Sequence, residues 1–169
     1  MIRHLSLLAA ALVLTACNTT RIAGPAAATA VAPVLGTADA VDPHSFARPL
    51  EARVTHVALD LSVDFAARTI GGTATLDITR RPDARVIVLD RKGYEVEAVT
   101  DAGGQPLAFS FGKEDKLLGT PFQIELGEDT RRIVVRYRSR PNAEALQWLT
   151  PAQTAGKRQP FLFSQGQSI

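Results

Sequence analysis

The chain of 169 residues has one cysteine, one tryptophan, three histidines and aromatic residues at 6% of positions. A single cysteine excludes an internal disulfide. His4, His44 and His56 are widely separated, no H-E-x-x-H occurs, and a self-contained zinc site is therefore not expected. His56 falls on the polar side of a strand pattern and reads as a solvated residue. Nucleophilic catalysis lacks its parts as well: Ser164 stands beside Gln165, with no G-x-S-x-G elbow and no histidine base. Gly71-Gly72 and Gly103-Gly104 are not followed by a helical pattern, so they read as hairpin or bulge glycines rather than phosphate loops. Glu114-Asp115 and Glu128-Asp129 sit in turn-like stretches. The 19 basic and 17 acidic residues give a net charge of +2, and the arginines are scattered. Arg131, Arg132, Arg136 and Arg138 fit a solvated strand face, so no nucleic-acid partner is expected. Catalytic residues: none are found. Metal ligands: none are found.

The N-terminus is the one long apolar run. Arg3 and His4 precede Leu5 to Leu14, and Leu14-Thr15-Ala16 precedes Cys17. A ten-residue run, apolar except for Ser6, is too short to span a bilayer and suits a signal peptide over residues 1–16. Leu-Thr-Ala-Cys resembles a bacterial lipobox, which makes Cys17 the lipidation site. Several acyl chains would anchor firmly, since each buried methylene contributes roughly 0.8 kcal/mol. The resemblance implies a lipid anchor in the bacterial cell envelope, and Asn18 favours the outer membrane, facing the periplasm. Residues 17–44 are rich in Ala, Thr, Gly and Pro, bury little, and read as a disordered tether.

From Val54 onward the pattern has period two. Val57, Leu59, Leu61, Val63 and Phe65 alternate with polar or small residues, which predicts a long strand with its odd positions toward the core. Ala74, Leu76 and Ile78 predict its hairpin partner. Pro82-Asp83 breaks the chain before Val86 to Leu89. Further strands are expected at Tyr94 to Val99, at Leu107, Phe109 and Phe111, and at Phe122, Ile124 and Leu126. A last well-patterned strand runs from Arg132 to Arg138, with Ile133, Val135 and Tyr137 inward. No segment keeps a helical period for ten residues. Residues 45–169 are therefore expected to be an all-β domain of about seven antiparallel strands, sandwich-like or open and saddle-shaped. Glu144 to Leu149 fits either a short helical turn or a strand.

Beyond it lie Phe161-Leu162-Phe163, then Gln165 and Gln167, two residues apart. Amides at that spacing share one side of a strand and could face one ligand. They could equally satisfy buried backbone groups.

Ala145 to Leu149, Pro151, Gln153-Thr154, Gly156-Lys157, and Pro160 to Gln165 with Gln167 resemble the N-terminal domain of gluzincin zinc aminopeptidases of the leukotriene hydrolase-like branch. His56, Leu59-Asp60-Leu61, Val63-Asp64-Phe65 and Ile70-Gly71-Gly72 are similar to that family's opening hairpin. The resemblance implies a saddle-like, multi-sheet β domain packed over a zinc catalytic domain. It implies substrate binding by Gln165 and Gln167, with Gln167 near the free α-amine of a peptide substrate. Zinc is the cofactor of the family and none is expected in this chain. The H-E-x-x-H and G-x-M-E-N motifs are absent from it. On this reading the domain is truncated at its C-terminal end, lacks its catalytic domain and is inactive alone. A free-standing, lipid-anchored β-sheet binding module is the alternative.

Overall fold

The computed structural model describes residues 42–165; Cys17, the tether up to residue 41 and Gln167 lie outside the described residues. Nine strands follow in order: β1 (Ala52–Asp64), β2 (Thr69–Arg80), β3 (Val86–Arg91), β4 (Tyr94–Asp101), β5 (Phe109–Phe111), β6 (Thr120–Glu125), β7 (Arg132–Ser139), β8 (Leu146–Leu149) and β9 (Phe161–Ser164). No α-helix occurs among the described residues. The strands form a four-stranded sheet β1-β2-β7-β4, a three-stranded sheet β3-β6-β5 and the hairpin β8-β9. Every pairing is antiparallel.

The β1–β2 hairpin turns where Asp64 Oδ1 accepts from the amides of Ala66 (2.9 Å) and Ala67 (2.8 Å). Arg68 completes the turn at φ 54°. Within the ladder, Gly72 lies opposite Leu61, and a Cβ there would stand 2.1 Å from the Asp60 carbonyl oxygen. Only glycine permits so close a backbone approach.

Period-two alternation puts Leu76 opposite Ile133 and Val135 opposite Val99 on one face of the larger sheet. Ile87, Phe122 and Ile124 of the smaller sheet belong to the same core. Phe122, Ile124 and Ile133 are fully buried. Full burial of each such side chain contributes about 1.5–3 kcal/mol, and this cluster holds the two sheets together.

Two expectations are corrected. The odd residues of β1 do share the face of Leu76 and Ala74, since Val57 pairs with Leu76 and Leu59 with Ala74. They are nevertheless open: Val57 is 51% exposed, Leu59 57%, Leu61 39%, Val63 44% and Phe65 42%. The smaller sheet reaches β1 only near its start, where Ala52 is in the core and Val54 packs against it. Those two are even-numbered because the β1–β2 register slips between Val54 and His56. Thr55 is the extra residue of this bulge, and it lets Val54 and Val57 share a face. Leu107 and Leu126, for their part, lie just outside the ends of β5 and β6. Of the segment Glu144 to Leu149, which fitted either turn or strand, Glu144 and Ala145 form a turn and Leu146–Leu149 is strand β8.

Candidate functional site

The segment carrying the expected site is the β8–β9 hairpin and its long connection. Leu146 pairs with Ser164, Gln147 with Phe163, Trp148 with Leu162 and Leu149 with Phe161. One face thus carries Trp148 and Leu162, which are half-buried, and the other carries Phe161 (54% exposed) and Phe163 (45%). Trp148 meets the Phe65 ring edge-on at 5.7 Å, which fixes the hairpin to the far end of β1. Its indole Nε1 is buried with no hydrogen-bond acceptor.

The connection holds its own shape. Pro151–Gln153 make a single 3-10 turn, and Gln153 Oε1 accepts from the amide of Thr150 at 2.9 Å. Thr154 Oγ1 lies 2.8 Å from the Pro151 carbonyl and 3.1 Å from that of Gln159, so it closes the loop between them. Lys157 turns the chain at φ 49°. A cleft of about 480 Å³ lies beside this loop, lined by Leu149, Gln153, Thr154, Arg158, Gln159 and Phe161 among others.

Gln165 follows β9, is exposed, and its backbone N–H donates to the Ala145 carbonyl at 3.3 Å. Strand alternation from Phe161 through Phe163 carries Gln165 to the exposed aromatic face, away from Trp148. Gln165 thus shares that face with two uncovered rings. Its expected companion Gln167 lies outside the described residues, as does the lipidation candidate Cys17.

The other polar residues serve the scaffold. Asp90 accepts from Ser45 Oγ (2.6 Å) and the Phe46 amide (2.8 Å), which pins the first described residues to β3. Nothing in the hydropathy pattern singles out Asp90. His56 faces Asp77, whose carboxyl is held below its usual range by the Arg132 guanidinium beside it. Among the described residues no three of His, Cys, Asp or Glu come together in a way that could hold a metal ion.

Comparison with known proteins gives this hairpin its context. No family model matches the chain. Leucine aminopeptidase 2 of Yarrowia lipolytica is 33% identical over 131 residues, covering 76% of this chain and 20% of the relative. Leukotriene A-4 hydrolase of Xenopus laevis is 36% identical over 133 residues, covering 75% of this chain and 22% of the relative. The chain is a homologue of both. The fold agrees: yeast LTA4 hydrolase, solved in complex with bestatin, superposes with a TM-score of 0.69 at 25% identity. That match covers 79% of this chain and 21% of the yeast protein. The described domain therefore has the architecture of the LTA4 hydrolase N-terminal domain. The chain spans about a fifth of the length of the relatives it matches.

Proposed function

We propose that this chain is the N-terminal substrate-cleft domain of a membrane-anchored zinc metalloaminopeptidase that removes N-terminal residues from peptides. The observation that carries the proposal is the exposed face of the β8–β9 hairpin. Phe161, Phe163 and Gln165 form an uncovered apolar-and-amide surface on a domain homologous to leukotriene hydrolases and leucine aminopeptidases. Such a surface suits a cleft wall completed by further polypeptide. A neutral glutamine can accept from a peptide's ammonium group and donate to its first carbonyl, so Gln165 and Gln167 would orient the substrate terminus.

The described residues do not fit zinc, since no ligand cluster exists among them. Zinc chemistry is accordingly assigned to the catalytic domain that this reading requires as partner, and no step is derived through it. The chain alone is read as inactive. Cys17 supplies the lipid anchor, and the protein faces the periplasm from the outer membrane. Incorporation of labelled fatty acid that is lost in Cys17→Ser tests the anchor.

A chimera tests the activity. The matched region of yeast LTA4 hydrolase is replaced by residues 43–169 of this chain, and hydrolysis of an aminoacyl reporter is followed with zinc present. Activity should be retained, and Gln167→Ala within the chimera should lower kcat/KM about tenfold, the size of one hydrogen bond to a charged group. Gln165→Ala should act in the same direction. A folded chimera whose kcat/KM ignores both changes would remove the glutamines from the site.

A further inference from the structure

The cleft beside the β8–β9 connection holds a charge that the two glutamines leave unused. Arg158 lines it, and makes neither an ion pair nor a hydrogen bond among the described residues. The arginines of the larger sheet are different: Arg132 lies against Asp77 and Arg138 against Glu97. No such partner is close in sequence to Arg158. From Ala145 to Ile169 the chain has neither aspartate nor glutamate, and Lys157 and Arg158 are its only charged residues. The acid just before this stretch, Glu144, is held by Lys92 at 2.9 Å.

Gln153, in the same cleft, adds a second donor. Its Oε1 accepts from the N–H and the Oγ1 of Thr150, both at 2.9 Å, so its NH2 is what remains for a ligand. Thr154 spends its hydroxyl hydrogen on a carbonyl of the loop. A planar guanidinium and an NH2 group are thus offered over an apolar wall of Leu149 and Phe161. Donors without a counter-charge suit an anion, and the guanidinium fork matches the two oxygens of a carboxylate. The apolar wall favours a carboxylate carried on a longer molecule over a free inorganic ion.

Phe161 connects this cleft to the hairpin, because it also stands on the face that carries Phe163 and Gln165. Four residues of chain separate Phe161 from Gln165, a run of ~13 Å at the usual strand rise. A peptide laid extended along the same face covers that run in about four residues. We propose that Arg158, aided by Gln153, is a specificity-determining residue that receives a carboxylate of the bound peptide. The carboxylate is the free terminus of a tetrapeptide, or an acidic side chain about four residues from the amine. This inference rests on the substrate-cleft reading above and names the substrate class it selects, short peptides that are acidic at their far end.

Binding is read in the full chain and turnover in the chimera. The nitrogen-15-labelled full chain carrying Cys17→Ser is titrated with Leu-Ala-Ala-Ala, with the C-terminal amide of that peptide, and with inorganic phosphate. The free acid should shift the Arg158 Nε–H resonance and bind about tenfold more tightly than the amide, the size of one charged hydrogen bond. Arg158→Gln should remove that gap, and Lys157→Gln, whose side chain is not among those lining the cleft, should keep it. In the chimera the free acid should have about a tenfold lower KM than the amide at similar kcat, and Arg158→Gln should close that difference. Equal affinity for acid and amide, or a gap that survives Arg158→Gln, overturns the inference. So does phosphate shifting Arg158 while neither peptide does, which would mark an adventitious anion site. An aminoacyl reporter is too short to reach the cleft, so its hydrolysis answers to Gln165 and Gln167. A chimera inactive on the reporter therefore counts against the proposed function, while the acid–amide gap in the full chain still decides the role of Arg158.

Discussion

Strands β7 and β1 carry the same alternation of apolar and polar residues, yet they end in opposite environments. Ile133 and Val135 of β7 are 0% and 5% exposed, whereas Leu59 of β1 is 57% exposed. β7 lies between β2 and β4 and beneath Phe122 and Ile124; β1 has one neighbour and is covered only near its start. Alternation decides which side chains share a face. A second layer decides whether that face is dry, and the layer is contributed by residues far away in sequence.

Substitutions can break this contrast or sharpen it. The largest effect is expected in the closed half, where Phe122→Ala should cost about 3–5 kcal/mol in denaturant unfolding, because the fully buried ring holds both sheets. A loss of less than ~1 kcal/mol would mean that the two sheets do not share one core. At the border between the halves, burial pushes the Tyr94 phenol from 10.0 up to about 12, with Arg91 opposing the shift. The unfolded chain then gives up this proton first. The Tyr94 contribution is whole below pH 10.0 and is lost as pH rises toward 12, so alkaline unfolding should begin in that window and move upward in Tyr94→Phe. Phenolate absorbance of one tyrosine appearing already near pH 10 in the folded protein would show that the border is wet. The smallest effect belongs to the open half. Val63→Thr should change stability by no more than about 0.5 kcal/mol, since the side chain is already 44% exposed. A loss near that of Phe122→Ala would reveal a cover over β1.

Much of the fold is legible in the residues themselves. The β1–β2 hairpin follows from two alternating runs flanking a short turn, and β7 from Ile133, Val135 and Tyr137. The bulges at Thr55 and near Glu97 are not legible, because a one-residue slip leaves a pattern that still looks regular. The exposure of Leu59 and Leu61 is not legible either, since nothing local says where the second sheet stops. At the candidate site, shared orientation of Gln165 with Phe161 and Phe163 follows from strand period. A role for Gln165 and Gln167 in binding rests on kinship, because an amide facing outward carries no local mark of its ligand.

The bulge at Thr55 has one more consequence. An added residue bends a strand and tightens its coil, so β1 works as a curved beam clamped at one end. Its first residues, Ala52 and Val54, pack in the core, while Phe65 just past its far end meets the hairpin at Trp148. Removing Thr55 would straighten the beam and turn Ala52 and Val54 over, exchanging a dry anchor for a wet one. The breadth of the saddle is thus written into the spacing of a single residue, upstream of every side chain that the saddle displays.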